Sequence, residues 1–358
     1  MVRNPRIWYS LIAARIVSAP CGIVLWRGSD AGVPIPVARI DARISLSIWK
    51  GGIKLEKMIE VKGLHKSYGA VHAVKGIDFF VEKGKLFAFL GPNGAGKSTT
   101  IDIICTFLKQ DAGTVTVDGN LVGKDDFAIR REIGAVFQDG LLDQLLTIEE
   151  NLRCRGGLYG LKGKALSDAV KRNAELTGVT ELLKRPYGKL SGGQRRRCDI
   201  ARALIHTPKI LFLDEPTTGL DPQTRKNVWE TVSKIQKESG MTVFMTTHYM
   251  EEAAAADYVI IIDNGEISAK GTPAELKEKY SKDRLILACK DTRAVAEKLK
   301  ETGVRCKISV DTVIADLPAT MDALPILETC RYMITGFEVL KGTMDDAFIA
   351  VTGKEIRQ

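Results

Sequence analysis

Nine consecutive residues, Gly91-Pro92-Asn93-Gly94-Ala95-Gly96-Lys97-Ser98-Thr99, carry the densest chemistry in the chain. Their spacing is G-x-x-x-x-G-K-[ST], and each residue type has a task there. Glycine at 91, 94 and 96 reaches backbone angles closed to residues with a Cβ, so successive N–H groups can turn inward around an anion. A helix that begins at this point adds its positive end to the same hollow. Lys97 supplies a point charge for β- and γ-phosphates, and the Ser98 hydroxyl is a hard oxygen of the kind that Mg²⁺ takes. The apolar run Leu86 to Leu90 precedes the loop and the mostly apolar segment Thr100 to Leu108 follows it, which predicts strand, loop and helix in that order. This pattern predicts a nucleoside-triphosphate site, and it leaves open what the energy drives.

A second constellation is Ile210-Leu211-Phe212-Leu213-Asp214-Glu215, two acids at the end of a buried strand. Asp214 suits the Mg²⁺ shell, and Glu215, one residue on, suits the water opposite the γ-phosphate. A second glycine element, Leu190-Ser191-Gly192-Gly193-Gln194, precedes a predicted helix that starts near Arg195. Read together, these segments resemble the ATP-binding cassette ATPases, whose signature is L-S-G-G-Q. The resemblance runs from about Met58 to Pro273 and rests on six separated motifs.

The resemblance implies roles position by position. Tyr68 matches the aromatic that stacks on adenine, although His65 or His72 would also serve. Gly91 to Thr99 is the phosphate loop, and Gln138 is the glutamine that touches magnesium and senses the transport domain. Asp214 is the metal-binding acid and Glu215 the catalytic one. Asp221 belongs to the dimer-contact loop, and His248 matches the switch histidine that contacts the γ-phosphate. Metal contacts fall to Ser98, Gln138 and Asp214. One phosphate loop and one signature per chain imply two copies packed head to tail, as a homodimer or with a related ATPase, each copy's Ser191 and Gly193 covering nucleotide held by the other's Lys97. ATP and Mg²⁺ are the implied ligands. The runs Gly192 to Leu204, Thr217 to Pro222 and His248 to Ala253 look like the ATPases of drug-resistance and lipid or polysaccharide exporters, whose permease is a separate chain. Two features depart from that subgroup: the N-terminal extension, and Gln194, where drug exporters commonly have methionine. The expected location is the cytoplasmic face of the cell membrane, held there by the permease. A cassette ATPase acting on ribosomes or DNA is the alternative. A single cassette without a heptad tract speaks against it, because such relatives carry two cassettes or a long coiled coil.

Around these motifs the pattern predicts an α/β fold, a P-loop NTPase domain with an antiparallel β subdomain and a helical insertion. Met58 to Val61 and Gly76 to Val81 read as strands joined through Tyr68-Gly69, and Gly113 to Val117 as another. Residues 140 to 190 lose strand character and gain helical spacing, which puts a helical subdomain at about 140–195. Strands follow at Ile210 to Leu213 and Met241 to Met245, and the last, Tyr258 to Ile262, ends at Asn264-Gly265. The expected domains are 1–57, 58–280 and 281–358. The third reads βαββαβ, a small ferredoxin-like α+β unit, with dimer support preferred over ligand sensing as its task.

Composition narrows the field. With 45% hydrophobic and 27% charged residues, the chain has the make-up of an ordinary globular protein. The net charge of +8 invites a nucleic-acid reading, but residues 1–57 alone hold nine basic residues against three acidic ones. The body therefore has no polybasic character, and no nucleic-acid partner is expected. Seven scattered cysteines without C-x-x-C spacing point away from a disulfide framework or zinc site. The apolar stretch Ile7 to Trp26 is interrupted by Arg15 and Pro20, so it lacks the unbroken run of a membrane span. Two readings of residues 1–57 stand: a weakly ordered extension with the authentic start at Met58, or an interfacial membrane segment.

Overall fold

The computed structural model describes residues 17–19, 22–24 and 56–353. The chain divides into two compact units, Met1–Glu56 and Lys57–Gln358. In the first, β1 (Val17–Ala19) and β2 (Gly22–Val24) form a short antiparallel hairpin. The readings of residues 1–57 as extension or interfacial segment otherwise concern residues outside the described ones.

In the second unit, β3 (Lys57–Tyr68) and β4 (Val71–Glu82) are joined by the Tyr68-Gly69 turn and pair antiparallel. Both strands are longer than their alternation suggests. Register shifts at Val61/Leu64 and beyond, beside Gly63 at φ 54°, break the two-residue period and hide the continuation. With β6 (Ala112–Val117) and β7 (Asn120–Leu121) they make an antiparallel sheet in the order β4-β3-β6-β7.

The central sheet has the order β12-β11-β5-β10-β9-β8. Its members are β5 (Leu86–Leu90), β8 (Ile133–Val136), β9 (Ile210–Asp214), β10 (Thr242–Thr247), β11 (Tyr258–Asp263) and β12 (Glu266–Gly271); α2 (Asp126–Glu132) precedes β8, and α8 (Pro273–Tyr280) follows β12. All neighbours are parallel except β12, which pairs antiparallel with β11 after the Asn264-Gly265 turn. Tyr258–Asp263 is thus not the final strand of the sheet. The Glu266–Gly271 edge strand alternates exposed and less exposed positions, but Ile267 and Ala269 are its only apolar residues, which leaves a weak sequence signal.

Every residue of β5, β9 and β10 is buried, as strands covered on both faces require. Phe87, Phe89, Phe212 and Phe244 point toward the phosphate-loop helix α1 (Lys97–Ile104) and the antiparallel sheet. The alternate residues Ala88, Leu90, Leu211, Leu213, Val243 and Met245 point toward the opposite helices. These include α5 (Gly192–Ala203) and α6 (Pro222–Ser239). Between β8 and β9 lies the helical insertion, with α3 (Ile148–Leu158) and α4 (Gly163–Leu176) around a core of Ile148, Leu152, Val170 and Ala174. The expected helix at Thr180 to Lys184 is a single 3-10 turn, Thr180–Leu182, too short for side chains to pair one turn apart.

The chain then forms β13 (Asp283–Cys289), α9 (Thr292–Glu301), β14 (Cys306–Ser309), β15 (Thr312–Leu317), α10 (Ala323–Cys330) and β16 (Ile334–Leu340). This antiparallel sheet runs β14-β15-β13-β16. The last helix, α11 (Met344–Thr352), leaves that sheet, and its buried Met344 and Phe348 join the core beneath the central sheet. No helix among the described residues is long and apolar enough to cross a membrane.

Candidate active site

Parallel register brings the predicted residues to one edge. Thr247 pairs with Leu90, Thr246 with Asp214, and Val136 with Leu213, so four strands deliver their following residues side by side. Those residues are Gly91, Gln138, Glu215 and His248. Ligands of open α/β sheets bind at this carboxyl edge.

The phosphate loop is built tightly. Gly96 sits at φ 99°, and a Cβ there would lie 2.4 Å from the Ala73 carbonyl oxygen. Only glycine fits both conditions. The Gly91 N–H donates to the Thr247 carbonyl at 3.3 Å, which fastens the loop to β10. Lys97 is buried, and its Nζ donates to the carbonyls of Gly91 (2.8 Å) and Pro92 (3.1 Å). The same ammonium lies 3.1 Å from Glu215 Oε1. Ser98 Oγ donates to Asp214 Oδ1 at 3.3 Å, and the Thr246 hydroxyl donates to that same oxygen.

Glu215 is the strained member, a non-glycine residue at φ 45°. Its N–H donates to the Thr246 carbonyl (3.2 Å) and hydroxyl (3.1 Å), and these bonds hold the turn. On its other side His248 Nδ1 lies 3.2 Å from Glu215 Oε2, within ion-pair range but off hydrogen-bond alignment. His248 first, and then Lys97, against the opposing effect of burial, lower the Glu215 carboxyl to about 2. Asp102, on α1, shifts the other way, because burial and then the charge of Asp214 disfavour its ionised form.

The structure does not bring Leu190 to Gln194 into this cluster. Ser191 caps α5: its Oγ accepts from the Gln194 N–H, and Gln194 Oε1 accepts from the Ser191 N–H at 3.1 Å. Ser191 and Gly192 are exposed, whereas a Cβ on Gly193 would stand 2.1 Å from Thr224 Cγ2. The neighbours of this segment are Leu220 and Thr224, so it lies beside Asp221. Asp221 is itself exposed and caps α6 by accepting from the Thr224 N–H at 3.0 Å. Tyr68 stands half-exposed on the wall of a cavity of about 620 Å³ that Phe107, Phe137 and Tyr159 also line.

Several functional contacts had no assignment from sequence. Arg196 donates to the carbonyl of Phe137 and, at 3.1 Å, to that of Gln138, which ties the signature helix to the glutamine loop. Tyr187 Oη donates to Asp199 Oδ2 at 2.8 Å, and burial pushes both groups toward their neutral forms. The available signal was a run of charges, Arg196, Asp199 and Arg202, on the same helix face as Ile200 and Ala203.

Comparison with known proteins identifies the family. Residues 74–218 match the family model described as ABC transporter. The daunorubicin/doxorubicin resistance ATP-binding protein DrrA of Streptomyces peucetius is 39% identical over 83% of this chain and 93% of its own length. The chain belongs to the ABC transporter family. As an ABC ATPase it is the ATP-binding and ATP-hydrolysing subunit of a transporter. The linearmycin resistance ATP-binding protein LnrL of Bacillus subtilis is 36% identical over 84% of this chain and 100% of its own. Among solved structures, cbiO1 from Clostridium perfringens, part of the ABC transporter complex cbiONQ, is 29% identical with a TM-score of 0.59, covering 69% of this chain and 98% of its own. A dimeric ATP-binding cassette in a post-hydrolysis state bound to ADP and Pi is 29% identical with a TM-score of 0.55, covering 60% of this chain and 98% of its own.

Proposed function

We propose that this ABC ATPase closes as a head-to-tail dimer on two ATP–Mg²⁺ and drives export through a separate membrane permease, at whose cytoplasmic face it sits. One observation carries the reading: a largely buried sheet edge brings Lys97, Asp214, Glu215 and His248 together, while Ser191 and Gly192 of the signature segment are exposed elsewhere. Gly91 to Thr99 cradles the phosphates, and Tyr68 takes the adenine. Glu215 accepts the proton of the attacking water, and His248 orients the γ-phosphate. Phosphate oxygens compete with Glu215 for the Lys97 ammonium, so nucleotide binding releases Glu215 and raises its basicity. Ser191 and Gly193 of the second copy present N–H groups and a helix end to charge that develops on the phosphates.

Ser98 and Asp214 fit Mg²⁺, since two adjacent hard oxygens together with substrate phosphates are the usual donor set for this ion. Gln138 completes the set. When bound, Mg²⁺ neutralises charge on the β- and γ-phosphates.

Exporter relatives support the direction of transport, among them the Nod factor export ATP-binding protein I of Ralstonia nicotianae, 35% identical over 86% of this chain and 97% of its own. A coupling helix of the permease docks in the cleft beside Gln138 and the helical insertion, where Leu141 is exposed. We assign 58–280 to the nucleotide-binding domain and 281–358 to a tail. The antiparallel order β14-β15-β13-β16 supports a ferredoxin-like reading of the tail, and the buried Phe348 supports a role in stabilising the ATPase. The test is Glu215→Gln. We expect retained ATP binding with turnover lowered by about 10²- to 10⁴-fold. Wild-type turnover removes Glu215 from its role.

A further inference from the structure

The carboxylate of Glu252, on the one-turn helix α7 (Met250–Ala253), is buried at 2% exposure. Among the described residues its partners are hydroxyls: Thr217 Oγ1 donates to Oε1, and Thr247 Oγ1 donates to Oε2 at 2.5 Å. Both threonines are buried as well. A carboxyl taken out of water is costly unless it is well hydrogen-bonded, and an apolar side chain would fill the space more cheaply. What the carboxylate adds is a fixed link between two loops.

Those two loops flank the reaction centre. Thr217 lies two residues after Glu215, in the turn that leads to Asp221, where the Leu220 N–H donates to the Thr217 carbonyl at 3.1 Å. Thr247 directly precedes His248, and its hydroxyl also accepts from the Tyr249 N–H at 2.9 Å. A second link runs outside the first. The Tyr249 ring lies 4.1 Å from the His248 ring and 3.7 Å from the Arg225 guanidinium. Arg225 is on the first turn of α6, and its N–H donates to the Asp221 carbonyl at 2.9 Å.

We propose that Glu252 is a positioning residue for hydrolysis, making the place of His248 beside Glu215 depend, through Thr217 and Thr247, on the loop that ends at Asp221. The inference rests on the roles given above to Glu215 and His248. In the closed dimer it has a consequence: a neighbour that moves the Asp221 loop also moves the switch histidine of the same chain.

The test is a kinetic cycle between Thr217, whose hydroxyl bonds to Glu252, and His248 itself. Thr217→Val removes the hydroxyl and keeps the shape; it is expected to lower kcat about tenfold with the KM for ATP within about threefold, and Thr217→Ser restores the rate. Glu252→Gln also lowers kcat, and retained nucleotide affinity in each variant shows that the chain has folded. In a His248→Ala background, assayed where residual turnover is measurable, Thr217→Val should cost less than twofold more. Equal losses in both backgrounds, or wild-type kcat in Thr217→Val, overturn the proposal. Full activity in His248→Ala alone instead overturns the catalytic reading of that residue, and this inference with it.

Discussion

The candidate phosphate-binding edge and the signature segment differ in where their polar groups are satisfied. At the edge, Lys97, Ser98, Asp214, Thr246, Glu215 and His248 hold one another across three neighbouring strands, largely out of water. At Leu190 to Gln194, the side-chain bonds of Ser191 and Gln194 stay within a single helical turn, and Ser191 and Gly192 face solvent. The first region is organised around its own chemistry. The second is a helix end whose side chains cap their own first turn. In the head-to-tail dimer proposed above, this division means that one chain binds nucleotide and two chains are needed to hydrolyse it.

Substitutions in the two regions should therefore separate binding from turnover. The largest effect is expected from Lys97→Ala, which removes a charged donor: nucleotide affinity of dilute protein should fall about 100-fold, read by fluorescent-nucleotide titration. Ser191→Asp is the counterpart. Aspartate caps helices as well as serine does, so thermal stability is retained, but its charge faces phosphate in the closed dimer. ATPase activity should fall by about 10-fold or more while the affinity of dilute protein stays within about threefold. A matching loss of affinity would erase the distinction between the regions.

Smaller effects sharpen the boundary. Tyr187→Phe strips Asp199 of its hydroxyl donor beneath the glutamine loop and should cost about 1–3 kcal/mol in denaturant unfolding. Nucleotide affinity should hardly move. Acid dependence sharpens the boundary from the other side. The Glu215 carboxyl is lowered from its ordinary 4.5 to about 2, so its contribution to stability is complete above about pH 4.5 and fades as pH falls toward 2. Glu215→Gln should show a shallower loss of thermal midpoint across that window than the wild type.

The site was legible in sequence wherever its chemistry depends on local spacing. Gly91 to Thr99, Asp214-Glu215 and Leu190 to Gln194 each fit within one turn or strand end, and the structure places them there. Links between distant segments were not legible. Glu252 reads as one of two adjacent acids, and only the pairing of β9 with β10 brings Thr217 and Thr247 to its two oxygens. Arg196 reads as one arginine of three in a row, and its reach to Phe137 and Gln138 spans more than fifty residues. The fold follows the same rule. Continuous apolar runs announced the central strands, but the edge strand Glu266–Gly271 has only Ile267 and Ala269 as apolar residues, and the bulged halves of β3 and β4 lack a clean period. The return of Phe348 to the cassette core is a tertiary fact that periodicity does not encode.

The central claim is that the nucleotide site is shared between two chains. Light scattering of Glu215→Gln at saturating ATP and Mg²⁺ tests it most directly. A shared site gives the mass of two chains with ATP, of one chain without it, and of one chain with ATP when Ser191→Arg is added. A single-chain mass for Glu215→Gln with ATP bound, or a dimer indifferent to Ser191→Arg, would contradict it.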